Sequence, residues 1–169
     1  MNIRNATPND APTILDMVDL AGEGIPRYLW RTRARSGESV LEAGLRQMSE
    51  RNGEFSFTHS RVYAHQDAVI GLCQAFDLDS VRNDDEMHSC CDVIRGLVEL
   101  EDMARGSWYI NALATTAALR GRGVGRALLA DSVRRADALG LRLVSLIVSS
   151  NNRPAKTLYD RLGFRFEAQ

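Results

Sequence analysis

The chain has 169 residues, of which 44% are hydrophobic and 25% charged, and its formal net charge is −1. That length suits one globular domain with a sizeable core, so residues 1–169 are assigned to a single domain. The composition excludes a disordered or fibrous chain, and the near-neutral charge gives no support for a nucleic-acid partner.

The cysteines and the N-terminal residues bear on the cellular compartment in which the protein is expected. Cys73, Cys90 and Cys91 fit no zinc pattern, because no second cysteine pair or HxxxH follows, and we predict no metal site. Reduced thiols are the interpretation we favour, with a vicinal Cys90–Cys91 disulfide as the alternative. The opening MNIRNATPND lacks the apolar core of a signal peptide, and no stretch approaches the ~20 apolar residues of a membrane span. We therefore expect a cytoplasmic protein with no membrane partner.

Periodicity and turn residues predict the elements of the first half. In chain order these are a strand over 2–7, a helix from near Ala11, an irregular or short-helical segment over 21–37, a helix over 38–51, a hairpin of strands over 60–65 and 68–77 that turns at Gln66–Asp67, and a loop over 78–86.

The second half alternates strands with helices. Its predicted elements are a helix over 93–100 that ends before Gly106, a strand over 108–115, a helix after the turn at 120–126 that stops at Gly140, an inner strand over 142–148, a helix capped by Asn151 or Asn152 that ends at Gly163, and a strand over 164–167. The apolar residues Val124, Leu128, Leu129, Val133, Ala136 and Leu139 are the expected buried face of the helix after the turn. This order predicts one α/β domain with a mixed sheet.

The turn RGRGVGR, over residues 120–126, stands between a predicted strand and a predicted helix. The N-terminus of a helix presents free backbone N–H groups and the positive end of the helix dipole. Glycines let the backbone approach a phosphate closely, and the arginines add positive charge. The turn therefore predicts a site for a pyrophosphate or a phosphorylated ribose.

Two common nucleotide motifs do not fit this turn. A Walker A loop needs GxxxxGK[ST], and no Lys-Ser or Lys-Thr occurs in the turn. A GxGxxG fingerprint that starts at Gly121 has Arg126 in its last place, and one that starts at Gly123 has Leu128 there. The stretch 142–148 also lacks the carboxylate that would bind a ribose.

The spacing Arg120-x-x-Gly123-x-Gly125 does fit, and with it the sequence resembles the GNAT family of acyltransferases. The resemblance covers 108–164 and includes a second run, Asn152-x-x-Ala155-x-x-Leu158-Tyr159-x-x-Leu162-Gly163-Phe164. The alternative is that the first motif is only a tight connection and the second only ordinary core packing. The family implies a mixed, mostly antiparallel twisted sheet of six to seven strands flanked by helices, with the fourth and fifth strands splayed at the cofactor site.

The resemblance implies transfer of an acetyl group from acetyl-CoA to a primary amine, by direct attack in a ternary complex. Backbone groups of Leu113, Ala114 and Thr115 would pair with the pantetheine arm, which Asn152 would contact from the other side. Tyr159 would protonate the departing sulfur. The pyrophosphate would be held by the turn residues Arg120, Gly121, Arg122, Gly123, Val124, Gly125 and Arg126.

The general base remains open at this point. Some relatives carry a glutamate early in the strand before the turn, where this chain offers Tyr109 and Asn111, and neither is a ready base. Solvent, or a carboxylate or histidine of the N-terminal half, is the remaining choice. By residue type alone the histidine candidates are His59, His65 and His88.

The acceptor pocket is predicted to form from 21–51 and from the region before Trp108. Tyr28, Trp30, Tyr109 and Asn111 are its candidate substrate residues, although core packing accounts for the aromatic rings equally well. An acidic rim would favour a cationic amine, and the alternative is an ordinary solvated surface. The acidic residues concerned are Glu23, Glu38, Asp84, Asp85, Glu86, Glu99, Glu101 and Asp102.

Three functions fit these residues. The first is a small-molecule amine acetyltransferase, the second a protein or peptide N-acetyltransferase, and the third a non-catalytic acyl-CoA-binding module. The family also implies a homodimer. Because another strand usually follows the Gly-Phe strand in the family, the end at Gln169 implies either a sheet one strand short or a partner that covers the sheet edge.

Overall fold

Five strands form a single sheet in the order β1-β2-β3-β4-β5. They belong to a computed structural model that describes residues 2–66, 68–81 and 92–169. The first three pairings are antiparallel, and β5 runs parallel to β4, so the sheet is mixed as predicted. The strands are β1 (Asn2–Asn5), β2 (Ser60–His65), β3 (Ala68–Asp77), β4 (Trp108–Thr115) and β5 (Val144–Leu146).

Helices connect and cover these strands. They are α1 (Ala11–Ala21), α2 (Ile25–Thr32), α3 (Val40–Ser49), α4 (Leu78–Val81), α5 (Arg95–Met103), α6 (Val124–Ala138) and α7 (Arg153–Arg161). Local sequence explains several of their ends. At the start of α3, Ser39 Oγ accepts from Glu42 N at 3.3 Å, while Ser39 N donates to Glu42 Oε2 at 2.8 Å. No described helix is both long enough and apolar enough to cross a membrane.

The two faces of the sheet support separate cores. On one face, α1, α2 and α3 pack on strand residues that include Val62, Leu72 and Ala112. On the other face, α6 packs on residues that include Cys73 and Ile110. Strand alternation sends neighbouring side chains to opposite faces, so one sheet carries both layers of helices.

The fourth and fifth strands separate partway along their length. They pair only from Trp108 opposite Val144 to Ile110 opposite Leu146, whereas β4 continues to Thr115. Beyond this point, no described strand bonds to the β5 side of β4. The expected splay is present, and it opens a cleft at the end of β4 that precedes the glycine turn.

Two strand predictions were wrong in detail. The described residues form five strands rather than six to seven, because 164–167 pairs with no described strand. Phe164 N instead donates back to Tyr159 O at 3.1 Å, which closes the end of α7. The predicted inner strand over 142–148 is the short edge strand β5, with hydrogen bonds to β4 only. None of residues 142–148 is buried and Leu143 is 52% exposed, as expected for a strand at the edge of a sheet and not for an inner strand.

Two helix predictions also needed correction. On α6, Val133 and Leu139 are 43% and 63% exposed, while Ser132 is buried and accepts a hydrogen bond from Trp108 Nε1 at 2.8 Å. The predicted loop over 78–86 begins with α4, whose first turn is stabilised by Asp77 Oδ1 accepting from Asp79 N at 3.2 Å. The remainder of that loop lies outside the described residues, together with His88, Cys90 and Cys91.

Candidate active site

A cleft of about 1130 Å³ opens where β4 and β5 separate. At one end it is bounded by the glycine turn and the start of α7, which we call the cofactor end. At the opposite end it is bounded by residues of α1, α2 and α5, which we call the acceptor end. Residues of both splayed strands lie between the two ends, including Leu113 and Thr115 of β4 and Leu146 of β5.

At the cofactor end the backbone of the turn points its donors outward. Gly121 and Gly123 have φ of +74° and +82°, values that residues with a side chain rarely adopt. Gly123 is the N-cap of α6. The first hydrogen bond of the helix runs from Ala127 N to Gly123 O at 2.9 Å. The N–H groups of 124–126 precede that bond and therefore have no acceptor within the helix. Free donors at the positive end of a helix dipole can bind an anion, and we call this group of N–H donors the cradle.

Arginines surround this cradle. Arg120, Arg122 and Arg126 are all exposed, and none of them forms an ion pair with a described residue. Arg120 and Arg126 line the cleft, whereas Arg122 does not. Two cationic side chains thus add to the positive potential of the helix N-terminus at the mouth of the cleft.

The sheet lets the start of α6 approach closely because β3 has a glycine at that point. A Cβ built on Gly71 would lie 2.6 Å from Val124 Cγ1 and 3.0 Å from Leu128 Cδ1. A side chain at this position would have to displace the side chains of Val124 and Leu128 or the helix that carries them. Sequence reasoning missed this residue, although a glycine inside a strand is a sign of close approach by another element.

The strand beside the cradle has one open side. Leu113, Ala114 and Thr115 pair on one side with Cys73, Leu72 and Gly71 of β3, and all three β4 residues line the cleft. The other side faces the gap left by β5. Extended backbone beside an open gap is a surface on which a linear ligand can add as a further strand.

Tyr159 reaches the cleft from α7. Its ring packs against Phe164, with 5.7 Å between ring centroids. Burial raises the pKa of Tyr159 to about 12, and the buried thiol of Cys73 adds to this effect. The hydroxyl therefore keeps its proton at neutral pH and is a hydrogen-bond donor.

Asn152 lies opposite the β4 backbone. Its Oδ1 accepts from Ala155 N at 3.2 Å, so the side chain caps α7, in agreement with the predicted cap. Its carboxamide nitrogen donates to no described residue, and Asn152 lines the cleft. One residue can thus cap the helix and still offer a donor to a ligand.

The four candidate substrate residues do not lie together. Tyr109 and Asn111 line the cleft, and Asn111 Nδ2 donates to Gln74 Oε1 at 2.9 Å. Tyr28 and Trp30 do not line it. Trp30 is fully buried, with its ring 5.8 Å from that of Phe55, so core packing accounts for it.

Histidine is not part of this cleft among the described residues. His59 packs edge-on against Phe76 at 5.2 Å, where burial lowers its pKa, and neither His59 nor His65 lines the cleft. The acceptor end instead contains three carboxylates, from Glu23, Glu54 and Glu101. Glu54 was missed from sequence, and it forms an ion pair with Arg33 at 2.6 Å.

Comparison with known proteins agrees with this geometry. Residues 27–164 match the acetyltransferase (GNAT) family, and the chain belongs to that family. It is therefore an acyltransferase, as the two motifs predicted. No curated protein matches the sequence.

Three solved structures with a similar fold are compared with this chain. An N-acetyltransferase from Staphylococcus aureus Mu50 is 21% identical with a TM-score of 0.70, and the match covers 100% of this chain and 93% of that one. AAC(6')-Iy in complex with the bisubstrate analogue CoA-S-monomethyl-acetylneamine is 16% identical, with a TM-score of 0.61 and coverage of 99% and 92%. A ribosomal-protein-alanine N-acetyltransferase from Brucella melitensis is 19% identical, with a TM-score of 0.59 and coverage of 98% and 85%.

Proposed function

We propose that this chain transfers an acetyl group from acetyl-CoA to a primary amine of a small molecule, by direct attack in a ternary complex. One observation carries the proposal. A single cleft runs from an arginine-flanked anion cradle, past the protonated hydroxyl of Tyr159, to an end that contains carboxylates. A pyrophosphate-bearing donor and a cationic acceptor would enter such a cleft from opposite ends.

The residues at the cofactor end fit acetyl-CoA. The free N–H groups of 124–126 would bind its pyrophosphate, and Arg120 and Arg126 would neutralise the remaining charge. The open side of β4 at 113–115 would bond the amide groups of the pantetheine arm, and Asn152 would donate from the facing side. AAC(6')-Iy, a neighbour in fold, has been solved with a CoA conjugate, which is consistent with this assignment.

Bound acetyl-CoA supplies a thioester, which an amine can attack with release of a thiol. Tyr159 would donate a hydrogen bond from Oη to the sulfur as negative charge develops there. Burial raises the pKa of the phenol to about 12, so its proton is in place when the sulfur departs. The hydroxyl would protonate the sulfur or stabilise it by the hydrogen bond, and the backbone of β4 would orient the thioester.

A small amine is the acceptor that we propose for this end of the cleft. Residues of α1, α2 and α5 line it. Apolar residues line much of this end, namely Val18, Leu29, Phe55, Ile94 and Leu97. Together with the carboxylates of Glu23 and Glu101, they would suit a cationic amine with an apolar body, whereas Glu54 is already paired with Arg33. Fold alone does not choose between acceptors, because neighbours of similar TM-score include a ribosomal-protein-alanine N-acetyltransferase.

Titration calorimetry and a transfer assay test the proposal. We expect the purified chain to bind acetyl-CoA with micromolar affinity and not to bind NADH. We also expect it to acetylate one or more amines from a panel of alkylamines and diamines, with thiol release measured by Ellman's reagent. Acetylation of N-terminal peptides without any free amine would favour the peptide alternative. Tight binding without transfer to any acceptor would favour a non-catalytic module, and absence of acetyl-CoA binding would refute all three.

A further inference from the structure

One face of α5 is apolar except for a single carboxylate. Residues 94, 97, 98, 101 and 104 recur at helical spacing, so they share a face. Ile94 and Leu97 line the cleft and Val98 is buried, while Ala104 packs against the cluster that contains Tyr109. The charged member of this face is Glu101, which is 7% exposed and lines the cleft.

The position of Glu101 differs from that of its charged neighbour on the same helix. Glu99 is exposed on the opposite face, where a carboxylate is solvated without cost. Glutamate is almost never buried unless it is paired, and Glu101 does take part in a polar interaction within the chain. A carboxylate has about four acceptor sites, and a buried one that lines a cleft can exchange a partner for a cationic ligand.

We propose that Glu101 is the general base of the reaction, which goes beyond the acyl transfer on which this inference rests. The carboxylate binds the acceptor's ammonium group and takes one of its protons. The N–H bond breaks with its electron pair left on nitrogen, an O–H bond forms on Glu101, and the amine becomes neutral. A buried site favours this transfer, because two charged groups become two neutral ones. Neither Tyr109 nor Asn111 on β4 can do this.

Acceptors that differ in charge test this role. Butylamine is an ammonium ion at neutral pH and must lose a proton before it attacks, whereas methoxyamine is already neutral. In Glu101→Gln, which keeps the size of the side chain, we expect kcat/KM for butylamine to fall about a hundredfold. We expect kcat/KM for methoxyamine to stay within about threefold of wild type, because its attack needs no prior deprotonation.

Two controls separate proton abstraction by Glu101 from a general loss of activity. Glu99→Gln should leave both amines unaffected, and calorimetry of Glu101→Gln should show unchanged acetyl-CoA affinity. An equal loss for the two amines, or no loss for butylamine, would overturn the role of Glu101 while the acyltransferase proposal stands. If the wild-type chain binds acetyl-CoA but acetylates neither amine, nor any other in the panel, the proposed function fails and this inference fails with it.

Discussion

At the cofactor end the cleft presents backbone N–H groups, whereas at the acceptor end it presents side chains. The donors at 124–126 are oriented by two glycines with positive φ and by the axis of α6. The acceptor end is lined by Glu101 of α5 and by apolar residues of α1 and α2. A site formed by backbone N–H groups requires glycines at fixed spacing, and these can be recognised in the sequence. A site formed by side chains from separate helices has no such local pattern.

The two ends should therefore respond differently to substitution. Changes at the cofactor end should weaken acetyl-CoA binding, because the backbone itself is the ligand-binding group. Changes in the packing around α1, α2 and α3 should lower stability or acceptor use and leave acetyl-CoA affinity intact. Substitutions at each end, with matched controls, test this distinction.

The largest effect is expected from Gly123→Glu. This residue has φ of +82°, so a side chain strains the turn, and the added carboxylate repels a pyrophosphate at the cradle. We expect acetyl-CoA affinity to fall about a hundredfold or more in calorimetry, which is about 3 kcal/mol of binding free energy. Gly140→Glu is the matched control, since Gly140 has φ of +76° beyond the other end of the same helix. Equal losses of affinity in the two variants would contradict a local cradle.

Tyr159→Phe should lower kcat by roughly ten- to a hundredfold, with acetyl-CoA affinity within about twofold of wild type. Because burial raises the pKa of Tyr159 to about 12, its hydroxyl stays protonated as the pH rises from about 7 to about 10. Wild-type turnover should therefore show no loss in that range from ionisation of this residue. Tyr63→Phe removes a hydroxyl from a half-buried ring in the same core cluster, away from the cleft, and should keep full turnover. Unchanged kcat in Tyr159→Phe would remove this residue from the mechanism.

Gly71→Ala and Gly44→Ala form a pair that compares the two regions directly. A Cβ on Gly71 would lie 2.6 Å from Val124 Cγ1, and one on Gly44 would lie 2.6 Å from Leu15 Cδ1. Each should lower the free energy of unfolding by about 1–3 kcal/mol in urea titration. The first presses on Val124 at the start of α6, so it should also weaken acetyl-CoA binding about tenfold, and the second should not. Equal weakening in both variants would contradict independent regions, and unchanged affinity in Gly71→Ala would contradict a role of this contact in the cradle.

The smallest effect is expected at the first helix. Arg4 donates to Asp10 through two hydrogen bonds of 2.8 Å, and the Arg4 guanidinium together with Thr7 lowers the pKa of Asp10 to about 2. We expect Asp10→Asn to cost about 1–2 kcal/mol near neutral pH. A carboxylate with a lowered pKa stabilises the fold at pH values above its pKa in the unfolded chain. This stabilisation is lost as the pH falls, so the difference in unfolding free energy between Asp10→Asn and wild type should shrink between about pH 4 and about pH 2.

Urea unfolding at several pH values measures this deficit. Asp16→Asn, at an exposed position on α1, is the control and should stay within about 0.5 kcal/mol of wild type. A deficit of Asp10→Asn that does not change with pH would contradict the ion pair as its cause. Acetyl-CoA affinity should be unchanged in both variants, since neither residue lines the cleft.

Local rules were sufficient for most elements of the fold. The bounds of β2, β3 and β4 agree with the predicted strands, and of the two predicted caps, Asn151 and Asn152, it is Asn152 that caps α7. These features depend on alternation, turn residues and caps within a few positions of one another. The predicted burial of Leu139 was wrong because it depends on distant parts of the chain. Exposure at the end of a helix is set by how far the surface that the helix packs against extends.

The sequence alone therefore determined the fold class, the family and the glycine turn, because each depends on contiguous residues with a fixed backbone geometry. Only the tertiary structure shows that Gly71 lies against Val124, that Trp30 is in the core and not in the cleft, and that Glu101 lines the cleft. Those facts depend on contacts between elements far apart in the chain. Side-chain burial is a property of the packed layers, and the residue type alone does not specify it.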